Sequence, residues 1–290
     1  MSLVSLVKLE PEMVLNNTIE EAVDLIQFKF SESISNIVIK PNLCYYWDYS
    51  TGLTTSPKFI SAIIDFIRSK IPHTVKITIV ESDASAMKCE YAFTMLGYKK
   101  MAKEKSVKLV NLTEDKATET SVDVNNSSHE FLVPQTITEA DLLINAPKIK
   151  YMPGVNISCA LKNIYGCNPY PKKFEYHPWL DEAIVCLNKI MKPDLCLLDG
   201  IIVKGVQAFK LGLIMASADP VAMDAAASRI AGTNPQSVKH IVLASKEGLG
   251  SLEFNNRGVE LDYFRNLFPE RKTKHKIKEL LSRSYNKLFA

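Results

Sequence analysis

The chain has 290 residues, an apolar share of 47% and a formal net charge of +3 at pH 7, a globular composition with no apolar run of about 18 residues to suggest a membrane span. The N-terminus lacks a basic stretch followed by a long apolar segment, so no secretory leader is expected and a cytoplasmic location is the working expectation. Six scattered cysteines with no C-x-x-C argue against a zinc ribbon, a dithiol redox motif or a ferredoxin-type cluster.

Val4 to Leu9 reads as a first strand, and Thr18-Ile19-Glu20-Glu21 has the form of a capping box opening a helix through about Phe28. Ile37 to Lys40 is the next strand. The aromatic loop Pro41 to Thr55 then ends at Ser56-Pro57, a cap and first-turn pair for the helix carrying Phe59, Ile60, Ile63, Ile64 and Ile67. Val75 to Val80 is a strand closing on Glu81-Ser82-Asp83. A helical stretch from Tyr91 to Leu96 stops at Gly97, and Val107 to Val110 is a strand. The polar residues 113–130 predict a surface excursion of hairpin type. A strand at 141–145, a long loop to Pro153-Gly154 and helices near Ile157 to Ile164 and Pro178 to Ile190 follow. Strands at 194–199 and Leu211 to Ala216 come next, and Asp219-Pro220 opens a helix that Gly232 ends. Strands alternating with helices predict an α/β fold: a mainly parallel, doubly wound sheet with helices on both faces, in one large domain or two lobes.

Between Glu270 and Ala290 seven Lys and Arg residues stand against Glu270 and Glu279, so the body is nearly neutral. Ile277, Leu280, Leu281, Tyr285 and Leu288 recur at helical spacing and predict a basic C-terminal helix over 270–290. Its apolar stripe would dock on a domain formed by 1–269, a reading favoured over nucleic-acid or membrane contact.

Apolar runs break off at polar turns at Lys40-Pro41-Asn42, Asn145-Ala146-Pro147-Lys148, Asp199-Gly200 and Asp219-Pro220. Buried parallel strands read as such runs, and ligands of open α/β sheets bind beyond the strands' carboxyl ends. Lys40, Lys148, Lys150 and Lys162 are therefore candidates for one anion pocket for phosphate or carboxylate, with Asn42, Asn145 and Asn163 orienting the ligand. The opposing reading is ordinary exposed lysines in loops. Glu81, Asp83 and Asp224 are weak candidates for a hard divalent cation such as magnesium. Asp219 is most simply a helix cap, which leaves Asp199 as the better chemical carboxylate. His177 is a proton shuttle or, equally, a packed histidine. No G-x-x-x-x-G-K-[ST], G-x-G-x-x-G or G-x-S-x-G occurs.

Taken in order, Val38-Ile39-Lys40-Pro41-Asn42, Thr54-Thr55-Ser56-Pro57, Asn145-Ala146-Pro147-Lys148-Ile149-Lys150 and Ala160-Leu161-Lys162-Asn163-Ile164-Tyr165-Gly166 resemble domain-of-unknown-function family 362. His177, Leu198-Asp199-Gly200 and Ala218-Asp219-Pro220-Val221-Ala222-Met223-Asp224-Ala225 continue the resemblance, which spans about residues 3 to 250. It adds Thr54 and Thr55 to the ligand-binding set. Members are commonly described as iron–sulfur-centre proteins because many carry an added ferredoxin-like module; this chain has none, so no such cluster is expected within it. The front half is also distantly similar to the N-terminal domain of lactate racemases.

The chain departs from the family pattern where it has Ser56 in place of histidine, Tyr151-Met152 in place of Thr-His, and Val203-Lys204-Gly205-Val206-Gln207-Ala208 in place of a stretch carrying Met-Glu-Gly. Two imidazoles and a carboxylate are thereby replaced. The clustering of polar residues after strands suggests an enzyme in which Asp199 and His177 serve proton transfer, and the resemblance implies redox-associated chemistry with its electron carrier supplied separately. The alternative is a non-catalytic binding or regulatory protein that kept the pocket and lost the chemistry.

Overall fold

The computed structural model describes residues 1–152, 155–205 and 207–269; the expected basic helix over 270–290 lies outside them. The strands in chain order are β1 (Ser2–Lys8), β2 (Asn36–Pro41), β3 (Lys76–Glu81), β4 (Lys108–Asn111), β5 (Ala117–Val124), β6 (Ser127–Pro134), β7 (Leu142–Ala146), β8 (Lys150–Met152), β9 (Asn156–Ser158), β10 (Leu195–Lys204), β11 (Ala208–Ser217) and β12 (Phe254–Gly258). The helices are α1 (Leu15–Leu25), α2 (Pro57–Lys70), α3 (Cys89–Met95), α4 (Tyr98–Glu104), α5 (Gln135–Thr138), α6 (Ala160–Tyr165), α7 (Leu180–Ile190), α8 (Pro220–Ile230), α9 (Lys239–Lys246) and α10 (Leu261–Leu267).

The main sheet runs β12-β1-β11-β10-β7-β2-β3-β4, with β8 paired to β10 and β9 to β8. Pairing is parallel from β10 through β7, β2 and β3 to β4. β11 enters antiparallel between β10 and β1. Alternate residues serve opposite faces, as the pleat requires. Ile37, Ile39, Leu142, Ile144, Leu195 and Leu197 pack with Ile19, Ile60 and Ile63 of α1 and α2. Val38, Leu143, Cys196 and Leu198 pack with Leu161, Ile184 and Val221 of α6, α7 and α8. The sheet is therefore mostly parallel and covered by helices on both sides.

Local signals explain most of the boundaries. Ser56 accepts a hydrogen bond from Lys58 N at 3.2 Å and Pro57 fills the first turn of α2. The polar excursion is the hairpin β5–β6, turned by Asn125 and Asn126 at φ 53° and 62°, the pair of left-handed residues that a two-residue hairpin loop needs.

The stretch expected as a loop after β7 carries β8, and the helix expected near Ile157 begins only at Ala160, after β9. Three further expectations differ. Helix α1 starts at Leu15, so Thr18 is no cap; it is buried inside the helix, which turns Thr18, Ile19, Ala22 and Val23 onto the core. Strand β10 does not stop at Asp199-Gly200 but continues to Lys204, because β11 pairs along it on both sides of an irregularity between Gly200 and Ile202. Asp219 follows the antiparallel strand β11 and so lies at the edge opposite the carboxyl ends of β2, β3 and β7. There it caps α8, its Oδ1 accepting from Val221 N at 2.8 Å and Ala222 N at 2.9 Å, and its Oδ2 from Ser251 N at 2.9 Å. Asp219→Ala should lower stability by about 0.5–2 kcal/mol, the cost of a lost cap. Urea unfolding reads that loss, and anion responses measured on the folded variant should match wild type.

Candidate functional site

The chain leaves β2 for β3 through α2 on one face and leaves β7 for β10 through α6 and α7 on the other. The β2–β7 seam is thus where the winding reverses, the place where open α/β sheets form a crevice. Parallel register sets Lys40 beside Asn145 at the end of that seam. Their neighbours Ile39 and Ile144 turn to the α2 face, so Lys40 and Asn145 turn toward α6.

The crevice is built around buried polar groups, each of which has to find partners. Lys40 Nζ donates to Glu81 Oε2 at 2.8 Å and to the Pro41 carbonyl at 2.7 Å; the two charged side chains are 1% and 4% exposed. Glu81 also accepts from Leu43 N at 3.2 Å and Ser82 N at 3.0 Å. Gly166 makes room for this pair: a Cβ there would stand 3.1 Å from Lys40 Nζ and 2.9 Å from the Asn163 carbonyl. A line of amides runs across the seam. Lys150 Nζ donates to Asn42 Oδ1 (2.7 Å), Asn42 Nδ2 to Asn163 Oδ1 (3.0 Å), Asn163 Nδ2 to Asn145 Oδ1 (2.7 Å), and Asn145 Nδ2 to the Ala160 carbonyl (2.9 Å).

Lys40, Asn42, Glu81, Lys150 and Asn163 border a cavity of about 250 Å³ that also takes in Cys44, Tyr45, Met152, Ser158, Lys162, Lys173, Phe174 and His177. Among the described residues lining it, Lys40, Lys150, Lys162 and Lys173 bring ammonium groups and Glu81 is the one carboxylate. Burial, then neighbouring lysines, press on the charged forms. Lys150 lies below the usual lysine range, chiefly through desolvation. Desolvation also lowers Lys162 to about 8, with the Lys150 charge adding to it. Lys173 falls to about 8 by desolvation even though the Glu81 charge opposes the shift. Lys173 is anchored by Ser82 Oγ, by the Asp83 carbonyl at 2.9 Å and by the Gly166 carbonyl at 3.3 Å. Lys162 differs: among the described residues its ammonium has no hydrogen-bond or carboxylate partner and lies over the Tyr165 ring at 4.9 Å. His177 stands at the rim, its imidazole held below the usual range by desolvation and by Lys162.

The residues singled out in the sequence divide between this cavity and its supports. Lys40, Asn42, Lys150, Lys162, Asn163 and His177 line it, while Asn145 closes the amide line beneath. Thr55 Oγ1 accepts from Asn42 N at 3.0 Å and donates to the Ala146 carbonyl at 2.8 Å; Thr54 Oγ1 donates to the Trp47 carbonyl at 2.6 Å. Both threonines pin the loop, and neither is among the residues lining the cavity.

Lys148 and Asp199 lie outside the cavity. They form their own buried pair at 3.2 Å, with Lys148 Nζ also on the Ile202 carbonyl and Asp199 accepting from Ser56 N and Ile201 N. The continuation of β10 past Asp199 is what keeps it inside the sheet.

The three cation candidates do not converge. Glu81 is committed to Lys40, Asp83 accepts from Lys88, Cys89 N and Asn111, and Asp224 accepts from Ala160 N at 2.6 Å behind α6, where burial pushes its carboxyl up to about 6. Among the described residues no three His, Cys, Asp or Glu side chains gather as a metal-holding group.

Lys173 and Cys44 were not legible as site residues. Lys173 opens a short 3-10 helix with no recognisable sequence pattern and is recruited by the Ser82 hydroxyl and by the carbonyls of Asp83 and Gly166. Cys44 is half-buried at the cavity wall, within hydrogen-bonding reach of Lys150. The other five cysteines are buried; burial pushes Cys167 and Cys186 up to about 12.

Fold and crevice together define a doubly wound α/β protein with a lysine- and asparagine-lined cleft at the point of winding reversal. Residues 37–229 match the profile of the family described as "Domain of unknown function (DUF362)", and the chain belongs to that family. A thylakoid-associated protein of Synechocystis is 27% identical over 152 residues, 48% of this chain and 46% of the relative, so the match spans about half of that protein's length. The lactate racemase apoprotein of Thermoanaerobacterium thermosaccharolyticum is similar at a TM-score of 0.45 and 14% identity, over 80% of this chain and 57% of that one. No described helix is long and apolar enough to cross a membrane.

Glu81→Leu leaves the Lys40 charge buried without its partner, and should cost about 3–5 kcal/mol of folding stability. In denaturant titrations the double variant Lys40→Met/Glu81→Leu should recover a large part of that loss. Brief iodoacetamide treatment of the folded protein should label Cys44 at least about tenfold faster than any other cysteine, read by peptide mass spectrometry.

Proposed function

We propose that the cavity binds a small anionic ligand, a phosphate or carboxylate, at the carboxyl edge of the sheet. Lys162 would be its principal contact and Lys150 its second, with Asn42 and Asn163 holding the lysine side of the cavity in place. The observation that carries this reading is the charge imbalance: four lysines and one carboxylate line one small cavity, and the Lys162 ammonium lacks a protein acceptor among the described residues. The charge of a bound anion would offset both the repulsion and the desolvation cost that hold Lys162 near 8.

The same two features suit proton transfer. A lysine near 8 changes charge close to neutral pH, as a general acid or base must, while desolvation and the Lys162 charge favour the neutral, proton-accepting form of the His177 imidazole. Lys162 and His177 are accordingly the groups proposed to move protons, with Asp199 supporting Ser56 and Lys148 from within the sheet. The redox-associated chemistry implied by the family resemblance would draw its electrons from a separate carrier. The second reading, a binding protein without catalysis, is favoured by Glu81: the one lining carboxylate is committed to Lys40 and two backbone amides, so it is poorly placed to act as a base.

Isothermal titration with inorganic phosphate and with acetate tests the proposal. Wild type should bind at least one, and Lys162→Met should weaken it roughly tenfold or more, the size expected for removing one charged contact. A lysine is charged below its pKa, so affinity should fall as pH rises through about 8, and the Lys162→Met variant should lose much of that slope. Wild type that ignores both anions, or a variant with unchanged affinity, overturns the reading.

A further inference from the structure

The cavity has a charged floor and an aromatic mouth, and the mouth is the part the anion reading leaves unexplained. Tyr45 and Phe174 both line it, and both keep large apolar surface in water, at 49% and 54% exposure. They come from different elements: Tyr45 from the loop after β2, Phe174 from the short 3-10 helix Lys173–Trp179. Isolated exposed aromatics are common on protein surfaces. Two on the rim of one lysine-lined cavity, each beside residues tied down by hydrogen bonds, are another matter.

The holding is specific. Tyr45 has φ 52°, a left-handed conformation that bulky residues seldom adopt. The turn that contains it is closed by Trp47 N donating to the Cys44 carbonyl at 3.2 Å, and the next residue is fixed by Lys88 N donating to Tyr46 Oη at 2.9 Å. Backbone strain of this kind persists only where surrounding contacts over-determine it, and it gathers at ligand clamps. Phe174 follows directly on Lys173, whose buried ammonium is anchored at Ser82, Asp83 and Gly166. Each ring therefore has its backbone fixed before any ligand arrives, which limits the ordering cost of binding. The volume also exceeds the needs of an inorganic anion: about 250 Å³ corresponds to about eight waters at ~30 Å³ each.

Resting on the anion reading above, we propose that the ligand is amphiphilic: an anionic head group on Lys162 and Lys150, and a planar apolar body held at the mouth by Tyr45 and Phe174. Aromatic phosphates and aryl carboxylates are the chemical class that fits, since a flat ring can stack on either side chain while its charge reaches the lysines. The two aromatic residues act as specificity determinants and the lysines as the anion contacts.

The test compares matched pairs by isothermal titration, methyl phosphate against phenyl phosphate and acetate against phenylacetate. On wild type the phenyl member of at least one pair should bind roughly tenfold or more tightly than its methyl counterpart. Tyr45→Asn, chosen because asparagine tolerates the left-handed backbone, and Phe174→Ala should each shrink that ratio while leaving the methyl ligand's affinity unchanged. Lys162→Met should weaken both members of the pair together. Equal binding of phenyl and methyl ligands to wild type, or a ratio that survives in both aromatic variants, overturns the amphiphilic assignment and leaves anion binding standing. If neither head group binds wild type in either form, the anion reading itself falls, and this inference with it.

Discussion

Ammonium groups cannot be buried at a sheet edge without acceptors, and the architecture of the crevice follows from meeting that requirement at Lys40. Its charge is matched by Glu81, its side chain needs the absent Cβ of Gly166, and its own carbonyl receives Asn163. Those three demands tie β2 to β3, to the end of α6 and, through Asn163 and Asn145, to β7. Breaking one partner leaves a charge in a medium that solvates it poorly, a cost far above that of an exposed pair.

Around that fixed point the lysines take on different work. Lys40 and Lys173 are saturated by carbonyls, a hydroxyl and a carboxylate, and they hold segments together. Lys150 is shared between Asn42 and the Leu53 carbonyl at 3.0 Å and so links the loop after β2 to the short strand β8. Lys162 alone of the four lacks a protein acceptor among the described residues, and desolvation, with the Lys150 and Lys173 charges adding to it, lowers its pKa. A depressed Lys162 is therefore chiefly a consequence of where α6 places it.

The aromatic mouth and the charged floor belong to one construction. The anchors that bury Lys173 also present Phe174, and the loop that exposes Tyr45 is pinned at both ends, by Asn42 on Thr55 and by Thr54 on the Trp47 carbonyl. Thr54 and Thr55 read in the sequence as ligand contacts; their hydroxyls are consumed in shaping the loop that carries the tyrosine. Residue type was right for hydrogen bonding and silent about the partner.

Much of the fold was legible because its causes are local. Ser56-Pro57 and Asp219-Pro220 start helices through caps acting within three residues, Asn125-Asn126 closes a hairpin, and apolar runs such as Ile37-Val38-Ile39 are long and β-branched enough to be buried strands. Lys40, Asn42 and Asn145 were legible together for a related reason, since parallel strands put their carboxyl ends on one edge, and Lys150, Lys162 and Asn163 follow β7 along the chain into β8 and α6 at that edge. Tertiary structure decided the rest. The reversed direction of β11 sends Asp219 to the far edge, and the pairing of β10 beyond Gly200 locks Asp199 onto Lys148. Lys173 is drawn in by backbone carbonyls. Strand direction and long-range acceptors depend on which segments meet in space, so no spacing of letters along the chain could have carried them.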